Sequence, residues 1–136
     1  MPFQYAAKFV CGASKESTPV APGQYVTAIN IHNPGNKAKF RFKFARAELS
    51  KDGKILGFIE DHEIGKDCAQ CFDCRVVRGT FSIQDGAVLD GFFVVESREP
   101  LDVVAVYTTN DLNGKGVPAI EVERVFERTI KNFTEL

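Results

Sequence analysis

Apolar and polar residues alternate with a period of two along much of the chain, and no long stretch carries the 3.6-residue period of a helix. The clearest segment is 37–44. Phe40, Phe42 and Phe44 fall on one face, and Lys37, Lys39, Arg41 and Lys43 on the other, as in a strand with one side in the core. Residues 24–32 upstream are rich in β-branched and aromatic side chains. Asn33-Pro34-Gly35-Asn36 between them is a strong turn signal, so the two segments predict a hairpin.

Residues 91–96 and 101–107 predict a second hairpin, turned by Ser97-Arg98-Glu99-Pro100. Both segments are apolar on both faces near the middle, as central strands covered on two sides are. Alternation marks 3–11 as a first strand, and the Ser, Pro and Gly of 12–23 mark a loop. Weaker strands are predicted at 55–64, after the Lys51-Asp52-Gly53-Lys54 turn, and at 72–77. A last long strand is predicted at 117–126. There Ile120, Val122 and Phe126 are expected to face inward and Glu121 and Glu123 outward, with Arg124 out of place on the inner face. The expected fold is all-β: an antiparallel β-sandwich of about seven to eight strands in a single domain over 1–127. Residues 128–136 would form a C-terminal tail or a short helix.

A length of 136 residues suits one core. With 44% apolar and 26% charged residues, extended disorder is not expected. Seventeen basic against 18 acidic residues give a formal charge of -1, with no general attraction to nucleic acid or an anionic membrane. Residues 1–7 lack the basic start and apolar run of a secretory leader, and the apolar run 103–107 is too short to span a bilayer. The expectation is a cytoplasmic protein, or a secreted one if a leader has been removed.

Four strings, Tyr5-Ala6-Ala7-Lys8-Phe9-Val10-Cys11-Gly12, Thr27-Ala28-Ile29-Asn30-Ile31-His32-Asn33-Pro34, Gly91-Phe92-Phe93-Val94-Val95-Glu96-Ser97 and Leu101-Asp102-Val103-Val104-Ala105-Val106-Tyr107-Thr108, resemble in order a family of small uncharacterised prokaryotic proteins. That resemblance brings no activity with it. In layout, with its early Ile-Asn strand and late valine-rich hairpin, the chain is more distantly similar to the sensory-rhodopsin transducer family of small tetrameric β-sandwich proteins. This implies a homo-oligomeric, non-enzymatic binding module.

The densest chemistry lies in four cysteines, Cys11, Cys68, Cys71 and Cys74, the last three as C-x2-C-x2-C. Three arrangements compete. Zinc could take all four thiolates, although structural zinc usually draws on two paired knuckles. The triple spacing resembles the start of a ferredoxin-type iron–sulfur run, but the fourth cysteine and its following proline are missing. In the third, Cys11 and Cys74 share the phase of the core residues on their strands, and either bridge the sheets as a disulfide or pack as a close pair of small apolar groups. Cys68 and Cys71 would then remain as an exposed C-x-x-C, bonded, redox-active or reduced. A reducing cytoplasm opposes a stable disulfide.

Other candidates are weaker. His32 beside its turn and His62 within 60–63 are the only histidines; they could contribute to a metal site, although a lone histidine is more often structural or exposed, and neither is positioned by sequence against a nucleophile. The strip Lys37, Lys39, Arg41 and Lys43, with Arg46 beyond, could grip phosphates or an acidic protein surface, such as 60–67 of a neighbouring copy. Its phenylalanines point away, so they are not stacking platforms for bases. The plainer reading is a solvated face that discourages edge pairing. Asn113-Gly114-Lys115-Gly116 is too short for a phosphate loop and reads as a turn.

The expectation is therefore a non-enzymatic module that associates with itself, by default as a tetramer, or with another protein. It would use no cofactor, bind no nucleic acid and span no membrane. The alternatives are a zinc, iron–sulfur or thiol-redox protein, and a small-ligand or carbohydrate-binding sandwich.

Overall fold

The computed structural model describes residues 2–56, 61–82, 87–114 and 119–131. In chain order the elements are β1 (Phe3–Ser14), β2 (Gly23–His32), β3 (Ala38–Arg46), β4 (Ile55–Leu56), β5 (His62–Ile64), β6 (Ala69–Asp73), α1 (Cys74–Phe81), β7 (Leu89–Ser97), β8 (Asp102–Asn110), β9 (Ala119–Val125) and β10 (Arg128–Thr129). The fold is all-β and antiparallel. One hydrogen-bonded path runs β4-β3-β7-β1-β2-β8-β9, with β5 on β3, β6 on β2 and β10 on β1.

That path turns over at β1. Residues 3–11 of β1 pair with β7, whereas Gly12, Ala13 and Ser14 pair with β2. Gly12 sits at the changeover with φ 112°, a conformation that costs glycine little. A first sheet, built on β3, β7 and β1, thus passes into a second, built on β6, β2, β8 and β9. Alternate side chains of both fill the core between them. Phe42 stacks on Phe93 at 4.9 Å, and Phe44 meets Phe9 edge-on at 5.9 Å. Ile29, Ile31, Val103 and Ala105 line the second sheet's inner side.

Neither expected hairpin forms. β2 pairs with β8, β6 and the end of β1, while β3 pairs with β7, β4 and β5. β7 likewise lies in the first sheet, between β3 and β1, and β8 in the second, between β2 and β9. The turns 33–37 and 98–101 are arches that carry the chain from one sheet to the other. Buried Asn33 braces the first arch, donating from Nδ2 to the carbonyls of Asn36 and Ile64 and accepting the Gly35 N–H at Oδ1.

The strand expected at 72–77 ends at Asp73, where a helix begins. Asp73 caps that helix by accepting the Arg75 N–H at 2.9 Å, and Val77 and Phe81 form its buried stripe. Ser82, in the left-handed region, closes its last turn. The strand expected at 55–64 becomes the short β4 and β5, and 57–60 lie outside the described residues. The segment from Arg128, expected as a tail or short helix, opens with β10 on β1. No helix among the described residues is long and apolar enough to cross a membrane.

Candidate functional site

Of the four cysteines, Cys11 and Cys74 form a disulfide with Cα atoms 5.7 Å apart. Cys11 is fully buried at the bend of β1, and Cys74 is the first residue of α1. The Thr27 N–H also donates to Cys74 Sγ at 3.2 Å. Two of the four sulfurs proposed for zinc are therefore bonded to each other. Cys68 and Cys71 are exposed, unbonded thiols. The stretch from Cys68 through Cys71 runs alongside β2, from the Asn33 N–H to Cys68 C=O bond to the rung between Cys71 and Asn30. Three extended steps separate their Cα atoms by roughly 10 Å, whereas a disulfide needs them within about 7 Å. Among the described residues no group of three or more His, Cys, Asp or Glu side chains is placed to hold a metal.

The basic strip lies on the outer face of the first sheet, where carboxylates of the same chain meet it. Lys37 bonds Glu63 at 2.9 Å, and Lys39 lies 4.0 Å from the same carboxylate. Lys37, with Lys39 further off, holds the Glu63 carboxyl below the usual glutamate range. Arg41 bonds Glu96 at 3.2 Å. Glu96, 0% exposed, also accepts from Gln4 Nε2 at 2.7 Å, and Gln4 in turn accepts from Arg128 Nε. Arg41, Glu96, Gln4 and Arg128 thus form one polar row across β3, β7, β1 and β10. A cavity of about 590 Å³ lies over the strip, with Lys37, Lys39, Arg41 and Arg98 matched by Asp61, Glu63, Glu96 and Glu99. Such balance gives little reason for a phosphate to collect there.

Both histidines have partners. His32 Nδ1 lies 2.8 Å from Asp102 and Nε2 3.8 Å from Asp67. His62 stacks on Phe40 at 5.4 Å and packs against Phe42 at 5.1 Å, at the margin of the aromatic core.

The outer face of the second sheet differs in kind. Register places Val26, Thr108 and Ile120 in one row, then Asp73, Ala28, Val106 and Val122, then Cys71, Asn30, Val104 and Arg124. Ile120 is 69% exposed and Val122 63%. Phe126, 74% exposed, lies beneath the Arg124 guanidinium at 5.4 Å. The expectation that Ile120, Val122 and Phe126 point inward is overturned. In β9 the inward phase belongs to Glu121, Glu123 and Val125, and Val125 alone is buried. Arg124, in phase with Ile120 and Val122, was the sequence's one sign that this side faces outward.

No family model matches the chain, and no curated protein matches it. A solved structure, Thermotoga maritima 1070, matches with a TM-score of 0.53 at 12% identity, over 92% of this chain and 91% of that one. The likeness is one of fold.

Proposed function

We propose that the protein is a non-enzymatic β-sandwich module that associates with itself and works through protein contacts. One observation carries this reading: the exposed apolar side chains of Val26, Ile120 and Val122 around Val106 on the second sheet's outer face, continued by Phe126. Soluble monomers seldom expose large contiguous apolar surface, and contact sites often do. The first sheet's outer face carries ion pairs, Lys8 with Asp90, Lys39 with Glu63 and Arg41 with Glu96, which a contact there would have to desolvate. The apolar centre of the second sheet's outer face carries no such cost.

A tetramer is the default assembly, since closed symmetric forms are the rule for soluble oligomers. Sedimentation velocity over a wide concentration range tests the reading. The expected result is a discrete oligomer that dissociates on dilution, and a monomer at every concentration would overturn it.

A further inference from the structure

We infer that Cys68 and Cys71 form a redox switch at the edge of the second sheet: joining them as a disulfide peels the start of β6 from β2. The switch is independent of the self-association proposed above. It uses the two thiols that the Cys11–Cys74 bond leaves over.

The paired strand and the bonded cysteines exclude each other. Asn30 pairs with Cys71, Ile31 with Gln70 and His32 with Ala69, and the Asn33 N–H donates to the Cys68 carbonyl at 3.0 Å. Extended backbone along this stretch holds the two Cα atoms roughly 10 Å apart, and a disulfide needs them within about 7 Å. For the bond to close, 68–71 has to bend and its bonds to β2 have to open.

The opening is confined. Among the described residues β6 pairs only with β2, so it is an edge strand. Ala69 and Cys71 are exposed and Gln70 is half-buried, so little apolar surface leaves the core when they lift. Gln70 gives up its bond to the Glu63 carbonyl, which is itself exposed. Segments with few buried apolar contacts are the ones that open locally. The next residues hold. Phe72 packs on Phe42 at 5.0 Å and on Phe93 at 5.5 Å, and Cys74 is bonded to Cys11. The peel therefore stops at Phe72 and α1 stays in place, while the edge of β2 from Asn30 to Asn33 is freed.

The oxidant is a low-molecular-weight disulfide. One cysteine thiolate attacks a sulfur of glutathione disulfide, giving a mixed disulfide and one glutathione thiolate. The other cysteine thiolate attacks the protein sulfur of that bond, closing Cys68–Cys71 and releasing the second glutathione. Two electrons pass to glutathione disulfide, and the two thiol protons go to the departing glutathiones.

Native protein would be titrated with glutathione buffers of rising disulfide content. Non-reduced peptide mapping reads the bonds, and amide hydrogen exchange by NMR reads the strand. The expected product has Cys68 bonded to Cys71 with Cys11–Cys74 intact, and its Asn33 amide exchanges roughly tenfold faster or more. Reduced glutathione is expected to reverse both changes. Cys68→Ser is expected to stop at a mixed disulfide on Cys71, with Asn33 exchange unchanged. Ala69→Gly weakens the strand and is expected to close at a several-fold lower level of glutathione disulfide, and Ala69→Val at a several-fold higher one. A glutathione on each cysteine, or a bond between chains, in place of the internal disulfide would overturn the inference. So would a Cys68–Cys71 bond that leaves Asn33 exchange unchanged, or a midpoint that ignores residue 69. Each of these outcomes leaves the self-association reading standing.

Discussion

The Thr27 hydroxyl accepts the Val10 N–H and donates to the Val10 carbonyl, both at 2.9 Å. The register that pairs Gly12 with Tyr25 and Ala13 with Gln24 would, if continued past Cys11 and Val26, pair Val10 with Thr27. There β1 has already turned into the first sheet. One side chain thus supplies both hydrogen bonds where two backbones part. Thr27→Val keeps the shape and removes the hydroxyl, leaving two buried backbone groups to find other partners. It is expected to lower stability by about 1–3 kcal/mol in urea unfolding. Thr27→Ser is expected to retain most of it.

The disulfide between Cys11 and Cys74 closes a loop of 63 residues and fixes α1 against the same bend. Constraint of the unfolded chain by a loop of that length stabilises the fold by about 4 kcal/mol. Unfolding with and without a reductant is expected to show a loss of that order. A Cys11→Ala, Cys74→Ala protein should match the reduced form and lose its sensitivity to reductant. Equal midpoints for oxidised and reduced protein would refute this.

The pairing of these cysteines was legible from strand phase, although Cys74 begins a helix and does not continue a strand. Their inward direction survived because Asp73 caps α1 with its stripe, Val77 and Phe81, turned to the core. The side given to Phe40, Phe42 and Phe44 was also right. The side given to β9 was not, because alternation shows which residues share a face and not which face is buried. Ile120 and Val122 alternate as regularly as Phe40 and Phe42, but β9 stands beyond the cover of the first sheet. The turns after His32 and Ser97 were legible as turns, and their partners were not. An arch between sheets and a hairpin within one share the same local Pro, Gly and Asn chemistry. The choice is made by long-range pairing, here β2 with β8 and β3 with β7.

Glu96 is buried on the outward phase of β7, a place where a carboxylate is tolerated only with partners. It accepts from Gln4 and Arg41. Glu96→Ala removes the carboxylate beside a largely covered guanidinium, and a loss of about 3–5 kcal/mol is expected. Glu96→Gln keeps an acceptor without the charge and is expected to fall between that variant and the wild type. Replacing the pair together, Glu96→Leu with Arg41→Met, is expected to recover much of the loss. Denaturant midpoints of the four proteins decide this, and a double variant no better than Glu96→Ala would show that the pair is not acting as a unit.

Burial first, and then the charges of Glu123 and Glu121 on neighbouring β9, push the Tyr107 phenol up to about 12. Its hydroxyl donates to the Lys8 carbonyl at 2.8 Å, tying β8 to β1 across the core. The neutral phenol is the form the fold favours. In the unfolded chain it ionises near 10, so the stability linked to Tyr107 is fully present below that pH. It falls as the pH rises towards about 12, because the unfolded state then releases its proton first. With three tyrosines and no tryptophan, ultraviolet difference titration can follow the phenolates directly. The late-titrating step is expected to vanish in Tyr107→Phe. In Glu121→Gln with Glu123→Gln it is expected to move to lower pH by less than the burial effect, and the alkaline loss of stability should shrink in Tyr107→Phe. An unchanged late step in Tyr107→Phe would assign it to another tyrosine.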